Sequence, residues 1–310
     1  MQRVMNGFMS KKRVVIIGCG IAGFSHLAEC SFNSQLEVIA VCSKTINQAR
    51  DCAEQFCVPL YYNSARECLL QNGKNIDVLI ISVPPADVLE ILGYCASFNF
   101  PIIIDKPGIF IQQNEISRRV CVYYSRRSFS DFSIAREHIS KALLSCDKIV
   151  YNATGPYVHR YEKGATYLAL KNHGILSDAA SHFFDLLLSA SSCEISINNA
   201  VLYNAPETSV EVNLSMLNAT IDISLKDNGS SSDSPDTFML ECAGFTLHVS
   251  ADNASVNAQT FIRDYQFPFD EQVVHLLSGN GDHIFVDYEN NSKTLRLIRA
   301  LYASSKRVSI

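Results

Sequence analysis

Short apolar runs alternate with amphipathic segments over residues 1–105 of the chain. The apolar runs predict strands, and the segments with apolar residues at three- and four-residue intervals predict helices. The predicted strands are 13–17, 36–41, 58–62, 77–82 and 101–104, and the predicted helices are 21–32, 46–56, 64–71 and 86–98. Because strands alternate with helices, we expect βαβ units and a parallel sheet.

The pattern changes after a further apolar run at 120–124. It predicts helices at 132–144, 173–189 and 294–305 and strands at 149–153, 200–203, 210–216, 219–225, 237–242 and 246–250. The polar stretch 228–236 is interpreted as a hairpin loop. We therefore predict two domains, an α/β domain at 1–124 and an α+β domain with an antiparallel or mixed sheet at 125–310.

Length and composition agree with two globular domains, since the chain has 310 residues, of which 47% are hydrophobic and 18% charged. The net charge of -5 argues against nucleic-acid binding, which needs a basic face. No apolar run is long enough for a membrane span, and residues 1–12 lack the apolar stretch of a signal peptide. We expect a cytoplasmic protein whose residues 1–12 form a flexible leader, with Met9 as an alternative start.

Eleven cysteines occur between Cys19 and Cys242, and none form a CxxC pair. Most lie in apolar runs, which is typical of reduced cysteines that serve as small core residues. No group of Cys and His has the spacing of metal ligands, so no metal site is predicted.

The sequence Gly18-Cys19-Gly20-Ile21-Ala22-Gly23 is a GxGxxG motif between a predicted strand and a predicted helix. In a dinucleotide fingerprint, the first glycine permits a tight turn. The second admits the pyrophosphate, and the third lets the helix pack on the sheet. The phosphates lie at the helix N-terminus, where free N–H groups and the helix dipole favour anions. The motif and its context predict a nucleotide site and identify 1–124 as a dinucleotide-binding domain.

About twenty residues further on, at the end of the second strand, an acid would bind the adenosine ribose 2′-hydroxyl and favour NAD. The chain instead has Ser43 and Lys44 there. A lysine can bind a 2′-phosphate, so the sequence favours NADP over NAD. The alternative is that Lys44 is a solvated loop lysine.

Two further patterns could carry acid–base chemistry. Asp105-Lys106-Pro107 follows a predicted parallel strand, where such folds bind ligands, and its lysine could hold a substrate oxygen or exchange a proton with it. Asp178 and His182 share one face of a predicted helix, with Asp185 near that face, and could relay the proton of a hydroxyl. Taken singly, each pattern also fits a surface ion pair.

In order along the chain, these motifs resemble those of the Gfo/Idh/MocA oxidoreductases. The resemblance rests on Gly18–Gly23, Asp105-Lys106-Pro107 and the Gly174-x-x-x-Asp178-x-x-x-His182-x-x-Asp185 pattern. Ser82-Val83-Pro84-Pro85, Ser125-Arg126-Arg127 and the terminal segment 294–305 also resemble family elements. The chain differs in having Asp105 where the family usually has Glu, and in having Val83, Pro85 and Val88 in place of its Thr-Pro-Asn...His.

The resemblance implies a Rossmann domain followed by a domain with an open, mostly antiparallel sheet, through which a homo-oligomer would form. It implies NAD(P)-dependent hydride transfer at a carbon of a sugar, sugar derivative or cyclic polyol. Lys106 would polarise the reacting oxygen, His182 would exchange the proton and Asp178 would hold the substrate or its neighbours. A sharp turn with a cis Lys106–Pro107 bond would aim the lysine inward.

The residues expected to contact the cofactor are the three fingerprint glycines with Ile21 and Ala22, and also Ser43, Lys44, Val83, Pro84, Asp105 and Lys106. Two other functions stay open. One is a non-catalytic NAD(P)-binding sensor or regulator. The other is a lyase or glycosidase-like enzyme that oxidises and re-reduces its bound cofactor within one turnover.

Overall fold

A computed structural model describes residues 10–109, 119–145, 147–156, 174–204, 208–217, 219–229, 237–250, 253–279 and 284–309. Residues 1–9, which include most of the predicted leader and Met9, lie outside these ranges, as does 230–236 of the predicted hairpin loop. Within the described ranges, none of the helices has the length and hydropathy of a membrane span.

The helices and strands of the described residues follow in chain order. The strands are β1 (Lys12–Ile17), β2 (Leu36–Cys42), β3 (Leu60–Tyr62), β4 (Val78–Ile81), β5 (Ile102–Asp105), β6 (Val120–Tyr123), β7 (Ile149–Gly155), β8 (Ile195–Tyr203), β9 (Ser209–Met216), β10 (Ala219–Asp227), β11 (Thr237–Cys242), β12 (Phe245–Val249), β13 (Asn253–Val256), β14 (Gln259–Ile262), β15 (Val286–Asp287) and β16 (Lys306–Val308). The α-helices are α1 (Ile21–Phe32), α2 (Ile46–Gln55), α3 (Ala65–Asn72), α4 (Pro85–Tyr94), α5 (Ser130–Ser145), α6 (Ile175–Ala190), α7 (Phe269–Ser278) and α8 (Tyr288–Ser304).

The chain divides into two compact units. The first contains the described residues up to 105, together with 119–123 and 267–288. The second contains 106–109, the described residues between 124 and 266, and 289–309. The segment 267–288 had been assigned to the second domain from the sequence, yet it lies in the first unit.

The first unit is built on a sheet in the order β15-β6-β5-β4-β1-β2-β3. Strands β1 to β6 are parallel, and β15 pairs antiparallel with β6. Every residue of β4 is buried, as are Val14–Ile17 of β1, because helices cover both faces of a parallel sheet. The predicted Rossmann architecture is confirmed, with strand order reversing between β1 and β4.

The second unit is built on a sheet in the order β14-β13-β12-β11-β7-β10-β9-β8-β16. The pairs β7–β10 and β8–β16 are parallel, and the other pairs are antiparallel. Along β9 and β10, buried apolar residues alternate with more exposed, mostly polar ones, so one face packs on α5 and α6. The predicted mostly antiparallel sheet is therefore confirmed.

The structure differs from the predictions in the end of one helix and in several short elements. Helix α4 begins at Pro85 and ends at Tyr94 instead of running to 98. The elements β13 to β16 and α7 were not predicted, because they are short or lack a clear period.

Of the described cysteines, all but Cys57 and Cys193 are buried, and all are free thiols, which confirms their prediction as small core residues.

Candidate active site

The turn between β1 and α1 requires glycine at two positions. Gly18 has a φ of 111°, and a Cβ there would lie 2.0 Å from the backbone oxygen of Ser82. A Cβ on Gly23 would lie 1.9 Å from the backbone oxygen of Gly18. The motif therefore folds the chain tightly from the strand into the helix, as a dinucleotide fingerprint does.

Gly20 differs from the other two glycines because a Cβ there would meet no heavy atom within 4 Å. It is the N-cap of α1 and has no side chain with which to cap the helix. Ile21 is 96% exposed and Ala22 is also exposed, so the first turn of the helix is open. Its free N–H groups and the positive end of the helix dipole suit a pyrophosphate.

Ser43 and Gln48 support this turn from the side of β2. The Ser43 hydroxyl donates to Gln48 Oε1 at 2.6 Å, and Gln48 Nε2 donates to the carbonyl of Cys19 at 2.8 Å. Ser43 is buried, and its hydroxyl holds the Gln48 side chain that binds the turn. Gln48 was missed in the sequence because it belongs to no motif.

Lys44 was predicted to be available to a 2′-phosphate. Its side chain is 81% exposed, and its Nζ lies 2.9 Å from Oδ1 and 2.8 Å from Oδ2 of Asp87. Asp87 lies in the first turn of α4. The lysine is therefore neither a free cation nor a purely solvated one.

Asp105 ends β5 and is held by two other side chains of the first unit. His26 Nε2 lies 3.0 Å from Asp105 Oδ1, and the Ser82 hydroxyl donates to Oδ2. The His26 ring stacks on Phe269 with centroids 4.0 Å apart. These contacts fix the strand end that leads into Lys106, and neither His26 nor Ser82 had been singled out from the sequence as a site residue.

Val83 and Pro84 connect β4 to α4, and both are half-buried. Pro84 is the N-cap of the helix. The Cγ1 atom of Val83 would lie 3.1 Å from a Cβ placed on Gly18, so this connection packs directly against the glycine turn. The predicted cofactor residues of β1 and β4 therefore meet at one edge of the sheet.

In the second unit, α6 carries polar side chains in an otherwise apolar helix. Every residue from Ile175 to Leu187 is buried. Asp178, His182 and Asp185 lie among them at intervals of four and three, which places them along one side of the helix. Burying three ionisable side chains is unfavourable unless each is paired or neutral.

Lys106 and Asp178 form an ion pair. Lys106 Nζ donates to the Asp178 carboxylate and lies 3.3 Å from the Asp178 carbonyl oxygen. The Lys106 side chain is 23% exposed and the Asp178 side chain 9%. The Lys106–Pro107 peptide bond is cis, as predicted. The structure thus brings together the first two residues of the predicted trio.

His182 lies one helical turn beyond Asp178. Burial, together with the charges of Lys106 and Arg126, lowers the pKa of its imidazole well below the usual range, so the ring is neutral. Among the described residues, none forms a hydrogen bond with its buried Nδ1 atom. The ring makes an edge contact with Tyr124, with centroids 5.8 Å apart. A neutral imidazole of this kind can accept a proton or a hydrogen bond.

Arg126 is a further member of this site that the sequence analysis had noted only as part of a domain start. Its guanidinium donates to the Tyr151 hydroxyl and lies 4.6 Å from the centre of the Phe238 ring. Arg126, Tyr151 and His182 line a cavity of about 10 Å³. That volume holds about one water molecule.

Asp185 has a different role from its neighbours on α6. Arg127 Nε and Nη2 donate to its two carboxylate oxygens, both at 2.8 Å. Burial raises the pKa of Asp185, and Arg127 opposes that rise. The pair is a bidentate structural ion pair, so Asp185 is committed to Arg127 and does not complete the Lys106–Asp178–His182 cluster.

Residues 12–120 match the model of the Gfo/Idh/MocA group, described as an oxidoreductase family with an NAD-binding Rossmann fold. No curated protein sequence matches the chain significantly. Within the described ranges, no three His, Cys, Asp or Glu side chains cluster as metal ligands would.

Solved structures share the fold over nearly the whole chain. The myo-inositol 2-dehydrogenase of Lactobacillus plantarum is 14% identical, with 96% of this chain and 97% of that one covered and a TM-score of 0.74. The WlbA dehydrogenase of Bordetella pertussis, solved with NADH and UDP-GlcNAcA, is 16% identical, with 95% and 96% covered and a TM-score of 0.71. A 3-ketoreductase of Actinomadura kijaniata, solved with NADP and TDP-benzene, is 12% identical, with 97% and 100% covered and a TM-score of 0.69.

Proposed function

We propose that this chain, whose residues 12–120 match the model of the Gfo/Idh/MocA oxidoreductase family, is an NAD(P)-dependent dehydrogenase or reductase acting on a sugar, sugar derivative or cyclic polyol. The observation that carries the proposal is the cluster of Lys106, Asp178 and His182. It joins a fixed cation, its counter-ion and a neutral imidazole in one part of the second unit.

The fingerprint turn of the first unit supports binding of a dinucleotide. Gly18 and Gly23 cannot carry a side chain, and the space beside Gly20 is open. Ile21 and Ala22 extend that open surface. Val83 packs against the turn, Pro84 begins the next helix, and Asp105 is held by His26 and Ser82. A bound nicotinamide would supply the hydride acceptor or donor, which no side chain of the chain can provide.

The second unit supports the acid–base part of the reaction. In the oxidation direction, the Lys106 ammonium would donate a hydrogen bond to the substrate oxygen and stabilise the negative charge that develops there. His182, which is neutral, would accept the hydroxyl proton. In the reverse direction the same nitrogen would return the proton to the oxygen. Asp178 would keep the ammonium in position through its carboxylate.

NADP or NAD would serve as the cofactor, with NADP as the preferred expectation. Lys44 gives a 2′-phosphate a cation at the end of β2, where the adenosine ribose is recognised in this fold. Solved relatives of the fold are found with NADH and with NADP, so the fold admits both nucleotides. The substrate class is suggested by names such as myo-inositol 2-dehydrogenase among those relatives.

A two-step experiment tests the proposal. Sugars, sugar derivatives and cyclic polyols are first screened by thermal shift with NADP or NAD present. Compounds that stabilise the protein are then followed by nicotinamide absorbance. We expect at least one to change the absorbance in stoichiometric amounts, and the change should be lost in Lys106→Ala. An unchanged rate in that variant would overturn the proposed role of the cluster.

A further inference from the structure

The end of β2 lacks the acid that would recognise a ribose 2′-hydroxyl, yet the fold supplies a carboxylate there from another element. Asp87 belongs to α4, and both of its carboxylate oxygens lie within 3 Å of Lys44 Nζ, at 2.9 and 2.8 Å. We propose that Asp87 determines the preference between NADP and NAD, because it competes with the 2′-phosphate for the ammonium of Lys44. This inference rests on the proposed binding of a dinucleotide at the Gly18–Gly23 turn.

The sheet order explains why these two residues meet. Strands β2 and β4 lie on either side of β1, so the loops after all three emerge at the same edge. Lys44 follows β2, and Asp87 lies just after β4 at the start of α4. The glycine turn that follows β1 lies between those loops. In this fold the ribose is recognised at the end of β2, which places Asp87 at the position where the two cofactors differ.

The charges at this position favour competition. NAD presents a neutral hydroxyl there, and NADP presents a phosphate with a charge of about -1.5 to -2. NAD can bind while the Lys44–Asp87 pair stays intact. A 2′-phosphate has to draw the ammonium away from Asp87 before it can bind Lys44. Because the Lys44 side chain is 81% exposed, the pair itself is weak enough to be opened.

A helix-stabilising role for Asp87 alone makes a different prediction. The Asp87 carboxylate in the first turn of α4 interacts favourably with the positive end of the helix dipole, so its removal would lower stability a little. Such a loss of stability would lower the affinity for both cofactors or for neither. The ratio of the two affinities responds only if Asp87 acts on the 2′ position, and it is therefore the readout.

The experiment is a set of calorimetric titrations of NADP and NAD into the full-length protein. The variants are Asp87→Asn, Lys44→Gln and the combination of both, with Glu37→Gln as the matched control. Glu37 is an exposed acid near the start of β2, the strand after which Lys44 lies. The control substitution therefore removes one negative charge far from the glycine turn. Thermal unfolding of each variant checks that it is folded.

We expect Asp87→Asn to strengthen NADP binding about three- to fivefold, because the 2′-phosphate then no longer has to open an exposed ion pair to reach Lys44, with NAD binding changed less than about twofold. Lys44→Gln should weaken NADP binding. When Asp87→Asn is added to Lys44→Gln, the affinity for NADP should rise little. An unchanged NADP to NAD ratio in Asp87→Asn would overturn the inference. An equal gain with Lys44 absent would also overturn it, because no competition for the lysine would remain. If the wild-type protein bound neither nucleotide, the proposed function itself would fail.

Discussion

Lys106 and Asp178 lie 72 positions apart in the chain and form an ion pair in the second unit. Lys106 directly follows β5 and is joined to Pro107 by a cis peptide bond. Asp178 lies in the first turn of the buried helix α6. Since His182 lies on the next turn of that helix, the pair fixes a cation close to a neutral imidazole. The proposed acid–base chemistry depends on this arrangement.

Replacement of Lys106 by alanine should reduce turnover while NAD(P) binding persists. A positioned acid–base or polarising group contributes about 10²–10⁴-fold in rate, and Lys106 does not belong to the phosphate turn. Steady-state kinetics and cofactor titration measure the two effects separately. Lys148→Ala is the matched control, because Lys148 pairs with Asp222 at 2.6 Å but is 62% exposed. Equal losses in both variants would argue against a specific role for Lys106.

Replacement of His182 by alanine should reduce turnover by a similar factor, since the ring is the proposed proton acceptor. The cofactor affinity should stay near the wild-type value. Kinetics with the substrate found by the screen give the answer. Turnover at the wild-type rate would show that His182 does not transfer the proton.

His182 should also make the stability of the protein depend on pH. Its folded-state pKa lies well below the unfolded value of about 6.5, so the unfolded chain binds the proton first as pH falls. The free energy of unfolding should therefore fall below about pH 6.5, by up to about 1.4 kcal/mol per pH unit from this group. Urea titrations of the wild type and of His182→Asn, compared across pH, isolate the effect. If the free energies of unfolding of the two proteins fell equally with pH below about 6.5, the prediction would be wrong.

Gly20→Val should abolish cofactor binding while the protein stays folded, with a loss of stability of no more than about 1 kcal/mol from the poorer helix N-cap. A Cβ at Gly20 meets no protein atom within 4 Å, so the fold tolerates the side chain, which instead fills the space that the pyrophosphate needs. Gly93→Val is the control, because Gly93 also has open space around its Cβ position but lies within α4. Calorimetry and thermal unfolding measure both variants. Wild-type affinity in Gly20→Val would place the pyrophosphate elsewhere.

Arg127→Met should destabilise the protein by about 3–5 kcal/mol, because it leaves the buried Asp185 carboxylate without its partner. Changing both residues, as Arg127→Met with Asp185→Leu, should recover much of that loss. Urea unfolding of the three proteins measures the coupling. A small effect of the single change would mean that Asp185 is protonated or finds another partner.

The sequence predicted the first unit well because a parallel sheet with alternating helices leaves a strong pattern. Helix α1 was predicted at its observed bounds, and the strands β1, β2, β4 and β5 within two residues. Helix α7 was missed, and so was its place in the first unit, because Phe269 contacts His26 across a long sequence separation that no local pattern records.

The candidate site was predictable only in part, for a similar reason. The residue types and order of Lys106, Asp178 and His182 were readable from motifs. The roles of Asp87 and Asp185 depend on which charges they meet, Lys44 and Arg127 respectively. An isolated charged residue in a sequence gives no indication of its partner, so only the fold could assign these two.

The most direct test of the central claim measures substrate consumption and nicotinamide absorbance in the same reaction. The substrate is the sugar or polyol found by thermal shift, and Lys106→Ala serves as the control protein. The account predicts one nicotinamide reduced or oxidised for each substrate molecule converted. A ligand that stabilises the protein but is not consumed would indicate a sensor. A ligand consumed with no net change in nicotinamide would indicate lyase- or glycosidase-like chemistry, and either result would contradict a dehydrogenase.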